Sequence, residues 1–217
     1  TVASGPAATA WFGATSAGTG QALVVDVGGT TTDITFVENG RPVISPEGSQ
    51  IGKWQTHIDA VETETAGIGG DSLVKIDRFG NILLGPNRVQ PLATASHIPD
   101  PCLWLGPENR CKCVMIHTGV PDVISKEHPM LNYLRCKGPA TPDQLREQLG
   151  ISELTADRQL EELVFRRQVA EVGFTPTDAL HVLGKISIGD AGRAIAGARI
   201  LAELRSQPVE TFCTDVL

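Results

Sequence analysis

The chain has 217 residues, 41% of them hydrophobic and 20% charged, with a formal net charge of -7. That size can bury one large core or two small ones, and the acidic balance argues against binding nucleic acid or an anionic membrane through a broad basic field. No apolar run approaches the roughly 20 residues that span a bilayer, no charged-then-apolar leader opens the chain, and five irregularly spaced cysteines fit a reducing, cytoplasmic setting better than a disulfide scaffold. The chain begins at Thr1, already inside the motif-like SGPAA, and is expected to be a piece of a longer protein.

In chain order, residues 6–18 predict a helix, with Ser4 or Gly5 as cap, Pro6 in the first turn and Gly18 and Gly20 past the end. Its Trp11 and Phe12 are expected in the core. Three short strands follow at 22–27, 32–37 and 41–45, the last two joined by the turn Glu38-Asn39-Gly40. The continuous apolar run Leu23-Val24-Val25 predicts an interior strand covered on both faces. Beyond a mixed stretch, SLVKIDRFGNILLGP reads as strand, turn and strand. The proline- and cysteine-rich residues 96–138 are expected to be irregular.

From Thr141 the texture turns helical. Thr141-Pro142-x-Gln144 has the form of a capping box and Gly150 closes that helix; a second helix covers 153–168. A third opens at Thr175-Pro176 and stops at Gly184, and a fourth covers about 190–205, with an arginine-bearing face expected in solvent. Residues 139–172 resemble a winged-helix type of helix-turn-helix, yet four arginines face seven carboxylates between Pro139 and Gly173. A DNA reader needs a basic face, so an insert used for packing or partner contacts is the better reading.

The densest chemistry lies in DVGGTTTD, residues 26–33. Gly28 and Gly29 let a ligand approach the main chain, successive amides in such a turn form an anion-binding concavity, and Thr30, Thr31 and Thr32 add hydroxyls. Asp26 and Asp33 would repel a phosphate unless a cation intervened, which points to Mg²⁺ held through water. The plainer alternative is a glycine hairpin whose threonines fill strand positions and whose aspartates cap the turn. A second small-residue loop, TAGIGGDS at 65–72, favours the ligand reading.

Four stretches, SGPAA at 4–8, DVGGTTTD at 26–33, AGIGGDS at 66–72 and GFTPTDALHVLG at 173–184, together with LLGPNRVQPLA at 83–93, resemble the hydantoinase/oxoprolinase A-type proteins of the actin, hexokinase and heat-shock chaperone ATPase superfamily. The resemblance implies an α/β, ribonuclease-H-like ATPase lobe over 1–138, a helix-turn-helix-like insert at 139–172, and a return to the lobe over 173–217. It further implies ATP and Mg²⁺ as cofactors, opening of a small cyclic amide as the reaction, and an N-terminal lobe with the first phosphate loop and a B-type subunit as partners. Carried over by position, Gly28, Gly29, Thr30 and Thr31 would contact the β- and γ-phosphates, Asp26 and Asp33 would face Mg²⁺ or its water, and Gly69 and Gly70 would line the adenosine side. Glu64 and Asp71 stand where many relatives carry histidine and a third glycine, a departure that favours a chaperone-like reactivating ATPase as rival; a kinase of the same superfamily is another.

Cys102, Cys111, Cys113 and Cys136, with His97 and His117 nearby, raise a structural zinc, and with it a zinc-stabilised interaction module, as a further alternative. Their spacing lacks a C-x2-C knuckle, so free cysteines are the default. His57 has no visible partner, and His181 sits in an apolar helix where a hydrogen-bonded core histidine is expected.

Overall fold

The computed structural model describes residues 4–48, 50–51, 54–56, 59–107 and 111–217; His57 lies outside them. The chain divides into two compact units, Thr1–Gly70 and Asp71–Leu217. The division falls at the end of the second glycine loop, inside the stretch 1–138 expected to form one lobe. No helix among the described residues is long and apolar enough to cross a membrane.

The first unit opens with α1 (Ser4–Ala17), and its sheet is built from β1 (Gln21–Val27), β2 (Thr32–Glu38) and β3 (Arg41–Pro42), all antiparallel. The turn into β3 has Asn39 and Gly40 at φ 52° and 71°, the left-handed geometry that an Asn-Gly hairpin favours. The strand expected at 41–45 is interrupted at Val43: β4 (Ile44–Ser45) pairs instead with β7 (Ala60–Val61). Between them β5 (Gln50–Ile51) pairs with β6 (Trp54–Gln55), and β8 (Thr63–Ala66) returns to the open side of β2.

Two expectations fail in this unit. Among the described residues β1 pairs only with β2, and it alternates between half-buried and exposed. Leu23, Val25 and Val27 are 55%, 50% and 65% exposed, because α1 covers only the other face of the sheet. Trp11 and Phe12 are likewise exposed rather than in the core. The buried positions of α1 are the small residues Ala10 and Ala14, which let the helix lie close to the strands and turn both aromatics outward. There they border an apolar groove with Ala7, Ala8, Ile44 and Val61.

The second unit starts with the hairpin of β9 (Ser72–Ile76) and β10 (Ile82–Arg88), its turn held by Asp77, whose carboxylate accepts from the main-chain amides of Phe79 and Asn81. β11 (Gln90–Pro91) runs parallel to β13 (Val169–Gly173), and β13 pairs antiparallel with β12 (Lys112–Ile116). The helices are α2 (Asp122–Glu127), α3 (Pro129–Lys137), α4 (Pro142–Leu149), α5 (Glu153–Phe165), α6 (Pro176–Val182), α7 (Ala191–Leu204) and α8 (Val209–Val216).

The stretch expected to be irregular therefore holds a strand and two helices. Pro129 stands in the first turn of α3 and Pro121 caps α2, positions where proline costs a helix nothing. The helical predictions hold closely: Thr141 and Gln144 form the capping box of α4, Gly150 ends it in the left-handed conformation, and Thr175 with Asp178 forms a second box on α6.

Two large cores fill this unit. One gathers Val74, Leu92, Phe174, Leu201 and Phe212; the other gathers Val114, Met130, Leu134, Leu145, Leu160 and Leu163. The arginine face of α7 is not simply solvated, since Arg193 donates to the carbonyl of Ala95 and Arg205 to that of Gly80. His181 is buried as expected, at 6% exposure, but neither ring nitrogen has a hydrogen-bond partner among the described residues.

Candidate functional site

The two glycine loops of the first unit lie against each other. Gly28 N donates to Thr31 O at 2.8 Å and closes the β1–β2 turn, while Gly70 N donates to Gly28 O at 2.9 Å. Thr32 Oγ1 donates to Ile68 O at 2.7 Å. A methyl added at Gly69 would stand 2.5 Å from Gly28 O and 2.7 Å from Gly29 C, so only glycine permits this backbone-on-backbone approach.

Asp26 and Asp33 are directly opposite in the β1–β2 register, so both carboxylates belong to one face of the sheet. Asp26 Oδ2 accepts from Thr9 Oγ1 of α1 at 2.9 Å, and Asp33 Oδ1 accepts from Thr65 Oγ1 of β8 at 2.6 Å. Like charges facing across a ladder are destabilising, and a hydroxyl on each side relieves this only in part. A cation between them would offset the repulsion. The hydroxyls of Thr30 and Thr31 have no hydrogen bond among the described residues, and Thr30 is exposed. The fold thus brings Asp26, Gly28, Gly29, Thr30, Thr31, Asp33, Gly69 and Gly70 to one end of the sheet.

The chemistry of this end fits a magnesium phosphate: a glycine turn, free hydroxyls and a carboxylate pair short of positive charge. Sequence reasoning missed Thr9 and Thr65, which orient the two carboxylates. Thr65 opens the second glycine loop, but nothing local marks Thr9, which reaches Asp26 through the docking of α1.

The cysteines do not converge. Cys113 lies in the first core and Cys111 packs with Leu73 and Val89. Burial pushes the Cys113 thiol up to about 12 and that of Cys111 up as well, the reverse of what a metal-binding thiolate needs. Cys102 and Cys136 are exposed, and Cys136 donates to Asn132 of its own helix. No three His, Cys, Asp or Glu side chains among the described residues are grouped to hold a metal.

In the second unit the stretches 83–93 and 173–184 are clamped together. Asp178, fully buried, accepts from the amides of Leu92 (3.1 Å), Ala93 (2.8 Å) and Thr175 (2.9 Å) and from Thr175 Oγ1 (3.0 Å). Burial pushes its carboxyl up to about 6, against the pull of those donors. The carbonyl of Ala93 is held in turn by Asp190 N, which donates to Ala93 O at 2.7 Å. Gly189, at φ 79°, approaches so closely that an added methyl would stand 2.2 Å from that oxygen. Nearby, a cleft of about 590 Å³ is lined by Gln90, Thr94, His117, Thr177 and the Asp71–Arg88 pair.

The glycine–threonine turn and the paired aspartates thus share one end of the first unit's sheet. A profile of the hydantoinase/oxoprolinase proteins matches residues 1–190, and the chain belongs to that family. It is 34% identical over 86 residues to the caprolactamase subunit alpha of Pseudomonas jessenii, covering 38% of this chain and 12% of that one. It is 28% identical over 172 residues to the acetophenone carboxylase gamma subunit of Aromatoleum aromaticum, covering 70% and 22%. The chain therefore spans less than a quarter of either relative. It is also similar to a nucleotide-free structure of acetone carboxylase, described with the mechanism of ATP-dependent acetone carboxylation, at TM-score 0.49 and 14% identity over 96% of this chain and 21% of that one.

Proposed function

We propose that the first unit is part of a ribonuclease-H-like ATPase lobe, and that its paired loops are one phosphate-binding half of a Mg-ATP site. The parent protein would be an enzyme that uses ATP to open a cyclic amide. The observation that carries this reading is the packing of the two glycine loops beside an opposed aspartate pair. Asp26 and Asp33 would hold Mg²⁺ through its water. Gly28, Gly29, Thr30 and Thr31 would face the phosphates with amides and hydroxyls. The ion would neutralise charge on the phosphates, and the positioned donors would favour charge developing during transfer to the amide oxygen.

A reactivating-factor ATPase is the second reading, on the acidic substitutions Glu64 and Asp71. Half of that objection weakens, because Asp71 is ion-paired to Arg88 at 2.9 Å and so brings little uncompensated charge. Glu64 remains exposed on β8. Calorimetric titration of the full-length protein with ATP, with and without Mg²⁺, is the test. Binding that needs the metal and is lost in Asp26→Ala supports the reading; metal-independent binding, or wild-type affinity in the variant, removes it. ATP turnover stimulated by cyclic amides separates the hydrolase from the reactivating factor.

A further inference from the structure

Strand β1 is an outer edge of its sheet. It pairs with β2 in unbroken antiparallel register, from Gln21↔Glu38 to Val27↔Thr32, and with no other strand among the described residues. The ladder decides which of its main-chain groups are left over. Val43 N donates to Phe36 O at 3.0 Å, so Phe36 turns its main-chain groups away from β1. Bonded and non-bonded pairs alternate along an antiparallel ladder. Leu23 stands opposite Phe36, so Leu23, Val25 and Val27 present N–H and C=O to the open edge, while Ala22, Val24 and Asp26 bond to β2.

The side chains alternate in step. Val24 and Asp26 face α1, since a methyl added at Gly13 would stand 2.6 Å from Val24 Cγ2 and Asp26 accepts from Thr9. Leu23, Val25 and Val27 face the other way and are at least half exposed, beside the exposed Phe36. Three residues thus offer six main-chain groups without a partner among the described residues, together with three large apolar side chains. Folded proteins guard such an edge with lysine, proline, a bulge or a very short strand. β1, with the sequence QALVVDV, runs for seven residues and has none of these.

We propose that the open edge of β1 accepts an extended strand of the parent polypeptide from outside these 217 residues. A row of outward N–H and C=O groups is matched by the main chain of another strand, and alternate apolar residues of that strand would extend the face of Leu23, Val25 and Val27. A second copy is the poorer occupant. A two-fold axis that pairs β1 with itself maps each face of the sheet onto itself. It would set the three apolar side chains of both copies side by side in one enlarged, uncovered patch. A strand of the parent arrives with flanking chain that can turn over that face. The relatives are long enough to supply it, because this chain spans 12% and 22% of their lengths. The inference rests on the β1–β2 register and not on the nucleotide reading.

The test is amide hydrogen exchange, read residue by residue, in the 217-residue chain and in the full-length protein. In the chain alone, Leu23, Val25 and Val27 should exchange freely, while Ala22, Val24 and Asp26 should be protected. In the full-length protein the three edge amides should slow by about 100-fold or more. Val25→Pro removes one edge donor, a change that an edge strand tolerates. In the full-length protein it should speed exchange at Leu23 and Val27 by about tenfold or more and leave Ala22 and Val24 protected. Edge amides that exchange as fast in the full-length protein as in the chain alone would overturn the proposal. So would protection that Val25→Pro leaves intact, or protection in the chain alone that grows with concentration, the mark of a second copy. If the proline variant does not fold, the wild-type comparison decides.

Discussion

The two units divide stability and chemistry unequally. The three apolar clusters formed by the described residues lie in Asp71–Leu217, where helices and short strands interlock around Phe174, Leu145 and their neighbours. In the described part of the first unit the buried hydrophobic residues are Ala10, Ala14 and Val37, while Trp11, Phe12, Leu23, Val25, Val27 and Phe36 are exposed. Yet this thinly packed unit carries the glycine loops and the aspartate pair. The contrast teaches that the loop geometry is held by main-chain hydrogen bonds and close glycine packing more than by a hydrophobic interior. Stability and ligand binding should therefore respond to different substitutions.

The largest effect on stability should come from Asp178→Ala. Removing a buried carboxylate with four donors leaves the amides of Leu92, Ala93 and Thr175 unpaired, a loss of about 3–5 kcal/mol, measured by urea unfolding; Mg-ATP affinity of the folded fraction should be unchanged. Gly189→Ala should follow, at about 2–4 kcal/mol, through overpacking on Ala93 and a left-handed backbone. Gly69→Ala should reverse the balance. Its stability cost should be about 1–3 kcal/mol, but calorimetry should show nucleotide affinity down by roughly tenfold or more as the two loops are forced apart. If Gly69→Ala instead leaves affinity intact, the loops act separately and the comparison fails.

Acidity sharpens the same contrast. The folded state holds the proton of Asp178 more tightly than the unfolded chain does, with a value near 6 against 3.8. The contribution is therefore fully present below about pH 4, is lost as pH rises to about 6, and levels beyond, a span of about 3 kcal/mol. Unfolding curves across that range should show the slope in the wild type and a flatter profile in Asp178→Asn. The smallest effect belongs to His181→Leu. Deleting two buried, unpartnered nitrogens should leave stability unchanged or raise it by about 1 kcal/mol.

Local chemistry was the legible part of this fold. The capping boxes at Thr141 and Thr175, the Asn39-Gly40 turn and the β9–β10 hairpin are each decided within a few residues, and all stand where the sequence puts them. Both glycine loops could be found as well, though not their contact, which depends on β8 returning to β2. The burial of β1, Trp11 and Phe12 was misread because apolar content marks what can be buried, not which face a neighbour covers. β12 and β13 were hidden because each is short and finds its partner across residues 117–168. Thr175 could be read as a cap; the bonds of its box partner Asp178 to Leu92 and Ala93 span more than eighty positions and leave no local trace.

The β12–β13 pairing has a consequence for the architecture of the chain. Ile116 and Val169 face each other across the ladder, so residues 117–168 leave β12 and return to β13 within about 5 Å, touching the sheet in between where Ala140 bridges to Val114. Topologically the whole excursion is an ornament on a hairpin. It could be exchanged for a tight turn, or for a different module, without rethreading the strands or disturbing the clamp at Ala93. The core around Phe174 should then survive the excision, leaving a shorter protein with the same loops and none of the helices α2 to α5.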